Sequence, residues 1–112
     1  MIRVTTPKHT FTFGTTNPET EYKTILITYA QNGENVLEKG KDDLTFDTET
    51  VGGETTYVGW FRLTQEETKG FSAKPGATVT IQVRALTQAD EALASDKWSV
   101  RVTDVLNDEV LT

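Results

Sequence analysis

The chain has 112 residues, 36% of them hydrophobic and 25% charged, and these proportions indicate one globular domain rather than a disordered chain. Its formal net charge of −6 argues against a nucleic-acid or anionic-membrane partner, because binding either requires clustered Lys and Arg. Without cysteine, the chain has no disulfide framework, thiol nucleophile or thiolate metal site. No signal-peptide pattern opens the sequence, and no apolar run approaches the roughly 20 residues that span a bilayer.

Alternating apolar residues predict about seven short strands. The pairs Ile2/Val4 and Phe11/Phe13 indicate one or two edge strands near the start. In chain order, the remaining strands are predicted at Thr24–Gln31, Asn35–Glu38, Asp43–Asp47, Thr56–Leu63, Thr78–Thr87 and Trp98–Val105. The Gly-containing pairs at 32–33 and 52–53 predict tight turns, and Gly59 predicts a bulge. This pattern is typical of an all-β, immunoglobulin-like antiparallel β-sandwich that forms a single domain over residues 1–112.

The stretch FRLTQEETKGF at residues 61–71 predicts a short helical turn near 64–70. Thr64 and Glu67 have the spacing of a capping box, and Gly70 can end the turn in a left-handed conformation. The apolar residues Leu63 and Phe71 flank the turn, so we expect it to carry the chain from one sheet to the other. A catalytic pair formed by the two adjacent glutamates is the less favoured interpretation.

The two tryptophans differ in their predicted environment. Phe61 and Leu63 share a phase and are expected to face inward, so Trp60 is expected to face outward. There it either contacts a sugar or a partner protein, or it is covered by a loop or by the N-terminal strand. Trp98 shares its phase with the valines that follow at alternate positions, and it is expected to lie in the core.

Few residues suggest chemistry. His9 is the single histidine, and without a GxSxG elbow it is best interpreted as a surface or edge-strand residue. No P-loop or GxGxxG motif is present. Two acidic clusters lack the spacing of a calcium-binding loop and are interpreted as solvated: Asp42, Asp43, Asp47 and Glu49, and Asp104, Asn107, Asp108 and Glu109. The sequence therefore predicts no catalytic, cofactor-binding or metal-binding residue.

The C-terminal segment, residues 105–112, mixes apolar and acidic side chains. It is either a frayed tail or an extended segment that docks on a neighbouring subunit by strand addition. Together with the outward tryptophan, its apolar residues are the candidate partner-binding positions: Trp60, Val105, Leu106, Val110 and Leu111.

Several stretches resemble small uncharacterised proteins encoded in phages and prophages of Gram-positive gut bacteria. They are ILITYAQNGENVLEKGKDDLTF from Ile25, LTQEET at Leu63–Thr68, ALAS at Ala92–Ser95 and VLNDEVL at Val105–Leu111. The resemblance covers the chain from about Thr24 onward, except that the segment Gly52–Gly59 differs from the pattern of those proteins. It implies a structural or assembly protein that is made in the bacterial cytoplasm and can be carried into the phage particle, with particle proteins, assembly proteins or itself as partners.

The expected function is therefore that of a non-catalytic interaction module associated with phage structure or assembly. The alternative is a carbohydrate-binding β-sandwich module that recognises surface glycans, with Trp60 and Tyr57 as stacking or rim residues. An enzyme that uses His9 or an acidic pair as its base is the least favoured possibility.

Overall fold

Two antiparallel sheets pack face to face in the computed structural model, which describes all residues from Met1 to Thr112. The first sheet has three strands in the order β1-β5-β4, namely Lys8–Gly14, Glu54–Arg62 and Thr45–Val51. The second sheet has the order β3-β2-β6, with β7 and β8 both on the far edge of β6; these strands are Glu34–Gly40, Tyr22–Gln31, Thr78–Thr87, Ala92–Ala94 and Trp98–Arg101. The predicted all-β sandwich is confirmed.

The strand order is that of an immunoglobulin-like sandwich. Strands β1, β5 and β4 take the places of strands B, E and D, while β3, β2, β6 and β8 take those of C′, C, F and G. Ahead of β1, Ile2 forms a parallel bridge with Thr103 just after β8, which links the N-terminus to the second sheet. Val4 then turns the chain towards β1 with a φ of 58°.

Tight turns fix the two hairpins as predicted. Asn32 and Gly33 have φ angles of 53° and 78° between β2 and β3, and Gly52 and Gly53 have φ angles of 60° and 85° between β4 and β5. Positive φ at both central positions matches the twist of the flanking strands and favours Asn and Gly. The register of each hairpin, and thus the face on which each side chain lies, follows from these turns.

Three short helical segments connect the strands. Helix α1 spans Pro18–Glu21, a 3₁₀ turn spans Lys41–Asp43, and helix α2 spans Gln65–Lys69. The α1 helix was not predicted, although Asn17 caps it by accepting a hydrogen bond from the N–H of Glu19 at 3.1 Å. Each of the three crosses between the sheets, since β1, β4 and β5 lie in the first sheet and β2, β3 and β6 in the second.

The core lies between the two sheets. Phe61 and Leu63 face inward as predicted, with 5% and 1% of their surface exposed. The ring of Phe11 packs against that of Phe61 with 5.5 Å between centroids. The buried cluster takes side chains from both sheets and from segments that adjoin the strands: Phe11, Ile25, Ile27, Tyr29, Leu44, Phe61, Leu63, Phe71, Val79, Ile81 and Val102.

Gly59 does not form the predicted bulge. Its pairing with β4 runs without interruption, and the irregularity lies between Thr12 and Gly14 of β1. A Cβ atom at position 59 would lie 3.2 Å from the ring of Phe13 and 3.3 Å from that of Phe46. The glycine therefore leaves room for two aromatic rings on the inner face of the sheet.

The predicted core position of Trp98 is wrong. Its side chain remains 39% exposed, although the ring of Phe11 approaches it with 6.0 Å between centroids. The phase of Trp98 was read correctly, because Val102 on the same face is buried. However, β8 lies at the edge of its sheet and ends at Arg101, and no further strand covers the tryptophan.

Candidate functional site

The turn between β5 and β6 is a capped structural joint. The hydroxyl of Thr64 accepts a hydrogen bond from the N–H of Glu67 at 3.1 Å, and the Glu67 carboxylate accepts one from the N–H of Thr64 at 2.9 Å. This confirms the predicted capping box. The predicted left-handed end is wrong, because Gly70 has a φ of −68° and its N–H continues the helical bonding to the carbonyls of Glu66 and Glu67.

Glu67 also joins α2 to the second sheet. Its carboxylate lies 2.5 Å from the ammonium of Lys39 on β3, and the two side chains are only 20% and 17% exposed. Burial alone would raise the pKa of Glu67, but the hydrogen bonds from Lys39 and Thr64 and the charge of Lys39 together lower it. Glu66 beside it is exposed and makes no such contact. The two glutamates therefore have different environments and do not form a carboxylate pair.

Thr68 anchors the N-terminal segment to α2. Its side chain is fully buried; the hydroxyl accepts from the N–H of Thr5 at 3.1 Å and lies 2.9 Å from the Thr5 carbonyl, to which it donates. The side chain of Arg3 adds a hydrogen bond to the carbonyl of Lys69 at 3.0 Å. These contacts hold residues preceding β1 against the joint, and no sequence pattern indicated them.

His9 lies on the edge strand β1, and its ring points between the sheets. The ring stacks on Tyr29 with an interplanar angle of 5°, and its Nδ1 shares a hydrogen bond of 2.5 Å with the Tyr29 hydroxyl. Burial, and then the charge of the N-terminal ammonium, lower the pKa of His9. Burial, and then the charge of Glu67, raise the pKa of Tyr29. The His9 imidazole and the Tyr29 phenol are thus both neutral near pH 7, and their stacked rings pack between the sheets.

Trp60 and Tyr57 do not form a joint platform. They lie on opposite faces of β5, because they are three positions apart, an odd number, along a strand with a side-chain period of two. Trp60 faces outward as predicted and is half-buried. The ammonium of Lys8 on β1 lies 4.3 Å from the centre of its ring. A sugar could stack on this face of Trp60 only by displacing that cation.

The C-terminal segment folds back along its own domain. Arg3 binds Asp104 at 3.0 Å, and the backbone of Leu111 exchanges two hydrogen bonds with the amide of Gln65, at 2.8 and 2.9 Å. Val105 and Val110 are half-buried, and Val110 lines a shallow groove beside α2. The side chains of Leu106 and Leu111 point into solvent. Two of the predicted partner-binding residues are thus exposed, and two are held against the domain.

The acidic clusters are used for local capping and ion pairing. Asp43 accepts from the N–H of Gly40 at 2.8 Å, Asp47 accepts from the N–H of Thr48 at 2.7 Å, and Asp104 pairs with Arg3. No group of three or more His, Asp or Glu side chains has a geometry that could hold a metal ion. None of the helices is long and apolar enough to cross a membrane.

A polar groove lies on the outer face of the second sheet. Its volume is about 710 Å³. Its floor is formed by outward side chains of β2 and β6, and its walls by the β2–β3 turn and by the segments that precede β6 and β8. We call it the Lys74–Lys97 groove, after its two charged residues; the other lining residues are Thr28, Ala30, Gln31, Asn32, Gly33, Asn35, Ser72, Pro75, Gly76, Ala77, Thr78, Thr80 and Gln82.

Sequence reasoning missed this groove because its residues come from separate segments and are individually common surface types. The one available signal was the outward phase of Thr28, Thr80 and Gln82, which shows that the two central strands present small polar groups on the same face. The loops that form the walls beside that face are brought there only by the tertiary fold.

Comparison with family models, with curated proteins and with solved structures finds no match to this chain. The resemblance to phage-encoded proteins therefore rests on the sequence stretches alone.

Proposed function

We propose that this protein is a non-catalytic interaction module that serves in the structure or assembly of a phage or prophage particle. The phage context is supported by the sequence resemblance. The non-catalytic role is supported by the use of the chemically active side chains, since Glu67 is engaged by Lys39 and His9 by Tyr29. Both pairs link separate elements of the fold, so their evident role is structural.

The observation that carries the proposal is the exposure of two leucines in the C-terminal segment. Leu106 is completely exposed and Leu111 is 77% exposed, although neighbouring Val105 and Val110 touch the domain. Covering one leucine side chain contributes about 1.5–3 kcal/mol. Two such contacts give weak binding for one copy, and repetition across the many copies of a particle makes weak contacts effective.

The edge of β1 is the best acceptor for such a segment within the three-stranded sheet. Strand β1 pairs with β5 on one side and leaves its other edge free over seven residues, none of them acidic. The opposite edge, on β4, carries Asp47 and Glu49, which would repel the acidic segment. Beside the β1 edge, Trp98 is partly exposed and offers an apolar contact. Strand addition by another copy is therefore the favoured mode of self-association.

Sedimentation analysis of matched variants tests this proposal. The double variant Leu106→Ser/Leu111→Ser should keep the unfolding midpoint of the wild type, because neither side chain contributes to the core, but it should lose self-association. The control Val51→Ser removes a side chain of similar exposure, 78%, from the tip of the β4–β5 hairpin and should associate as the wild type does. Association that is unchanged in the double variant would refute the role of the tail.

Mass spectrometry of purified particles tests the phage context separately. Stoichiometric presence with capsid or tail proteins is the expected result. Abundance in the lysate with absence from particles would instead point to an assembly factor or to a module that acts on the host side.

Carbohydrate binding is the second candidate function. The absence of a joint Trp60–Tyr57 platform removes its original basis, but the Lys74–Lys97 groove favours it on a different surface. Hydroxyl and amide side chains dominate the lining of that groove, and such groups match the hydroxyls of a sugar.

A further inference from the structure

The Lys74–Lys97 groove differs in charge from the rest of the molecule. The chain carries 17 acidic and 11 basic residues, but the groove is lined by two lysines and by no Asp or Glu. Neither Lys74 nor Lys97 takes part in an ion pair within the protein. Acidic residues border the groove without lining it: Glu34 and Glu38 on β3 lie opposite lining residues of β2, and Asp96 precedes Lys97. The lining of the groove therefore carries only positive charge, although the protein as a whole is acidic.

Hydrogen bonds fix the walls of the groove. The buried side chain of Gln31 donates to the carbonyl of Ser72 at 2.9 Å and accepts from its N–H at 2.8 Å, which ties the segment that contains Lys74 to β2. The N–H of Ala77 donates to the carbonyl of Lys74 at 2.8 Å and closes a turn. These bonds form the site before any ligand arrives, which lowers the entropic cost of binding.

Several polar side chains that line the groove are available to a ligand. Thr28, Asn35 and Thr78 make no side-chain hydrogen bond within the protein, while Gln82 is held by its bond to the carbonyl of Ser95 at 3.0 Å. Free hydroxyl and amide groups both donate and accept, as sugar hydroxyls do. Only two lining residues are hydrophobic, so the groove does not suit an apolar peptide segment.

We propose that the Lys74–Lys97 groove binds an anionic oligosaccharide whose sugar rings carry carboxylates. The floor hydroxyls and amides recognise the sugar hydroxyls, and the two ammonium groups recognise the carboxylates. A volume of about 710 Å³ falls within the usual size range of ligand clefts. The inference rests on the second candidate function, carbohydrate binding, and is independent of self-association through the tail.

NMR titration of the ¹⁵N-labelled protein at low salt tests the proposal with three probes. Trigalacturonate is the anionic sugar, maltotriose is a neutral sugar of the same length, and hexaglutamate is an anionic peptide. Trigalacturonate should shift the resonances of Thr28, Asn35 and Thr78, and it should bind at least tenfold more tightly than either other probe. Its affinity should fall as salt is added, because the lysines are exposed.

Matched variants locate the site. The double variant Lys74→Gln/Lys97→Gln should raise the dissociation constant for trigalacturonate about five- to tenfold. The control Lys8→Gln/Arg62→Gln also removes two positive charges, from the other sheet, and should leave the constant unchanged.

Each alternative result would overturn a different part of the proposal. Equal binding of maltotriose would contradict the role of charge while leaving carbohydrate binding in place. Equal binding of hexaglutamate would make the groove a general polyanion site. If none of the three probes binds, both the inference and carbohydrate binding in this groove are refuted. The interaction proposal is decided separately, by sedimentation of the tail variants.

Discussion

The ion pair between Glu67 and Lys39 gives the sharpest prediction about the fold. Glu67→Gln keeps a side chain that can still accept the Thr64 N–H, because Gln also serves in a capping box. It removes the charge that faces Lys39 at 2.5 Å, in a place where both side chains are mostly shielded from water. Leaving a shielded ammonium without its partner costs about 1–3 kcal/mol of unfolding free energy. For a domain of this size, that corresponds to a fall in the unfolding midpoint of about 4–12 °C.

Thermal unfolding followed by circular dichroism at several pH values measures this effect. Because the folded-state pKa of Glu67 is lowered, its stabilisation is complete above the unfolded-state pKa of about 4.3 and is lost as the pH falls through the folded value. The gap between wild type and Glu67→Gln should therefore be constant at neutral pH and close under more acidic conditions. Glu66→Gln makes the same charge change at an exposed neighbour and should shift stability by less than about 0.5 kcal/mol. Equal midpoints for wild type and Glu67→Gln at pH 7 would refute the assigned role.

Two further substitutions test the packing around the joint and the first sheet. Thr68→Val keeps the shape of the buried side chain but leaves the N–H and carbonyl of Thr5 without their partner. Calorimetry should therefore show a loss of about 1–3 kcal/mol of unfolding free energy. The control Thr68→Ser keeps the hydroxyl and should retain most of the stability. Gly59→Ala should cost about 1 kcal/mol in urea unfolding, because its methyl group would press on the rings of Phe13 and Phe46, and a midpoint at or above that of the wild type would contradict this reading.

Local signals account for the parts of the fold that were predicted correctly. The Asn32-Gly33 turn, the capping box of Thr64 and Glu67, and the alternating strand Thr78–Thr87 each depend on residues adjacent in sequence. Their energetics involve short-range sterics and hydrogen bonds, so the same residues favour the same conformation wherever the chain places them. The end of α2 at Gly70 was mispredicted because glycine permits left-handed geometry without requiring it.

Errors arose where the outcome depends on neighbours from distant parts of the chain. The phase of Trp98 could be read from its strand, but its exposure depends on the absence of another strand beside β8. The sequence predicted a bulge at Gly59, but this glycine instead makes room for the rings of Phe13 and Phe46, which pack over it. In both cases the position of the residue in its strand could be predicted, but its environment depended on residues distant in sequence.

Period-two alternation and turn chemistry act over a few residues, so the class of fold, the hairpin turns, the capped joint and the inward face of β5 could be predicted from the residues alone. Tertiary structure alone decided that Lys39 meets Glu67, that Tyr29 meets His9, and that polar side chains of β2 and β6 form a groove with lysines from two loops. Those groups are far apart along the chain, and their proximity arises only when the buried faces of both sheets come together to exclude water.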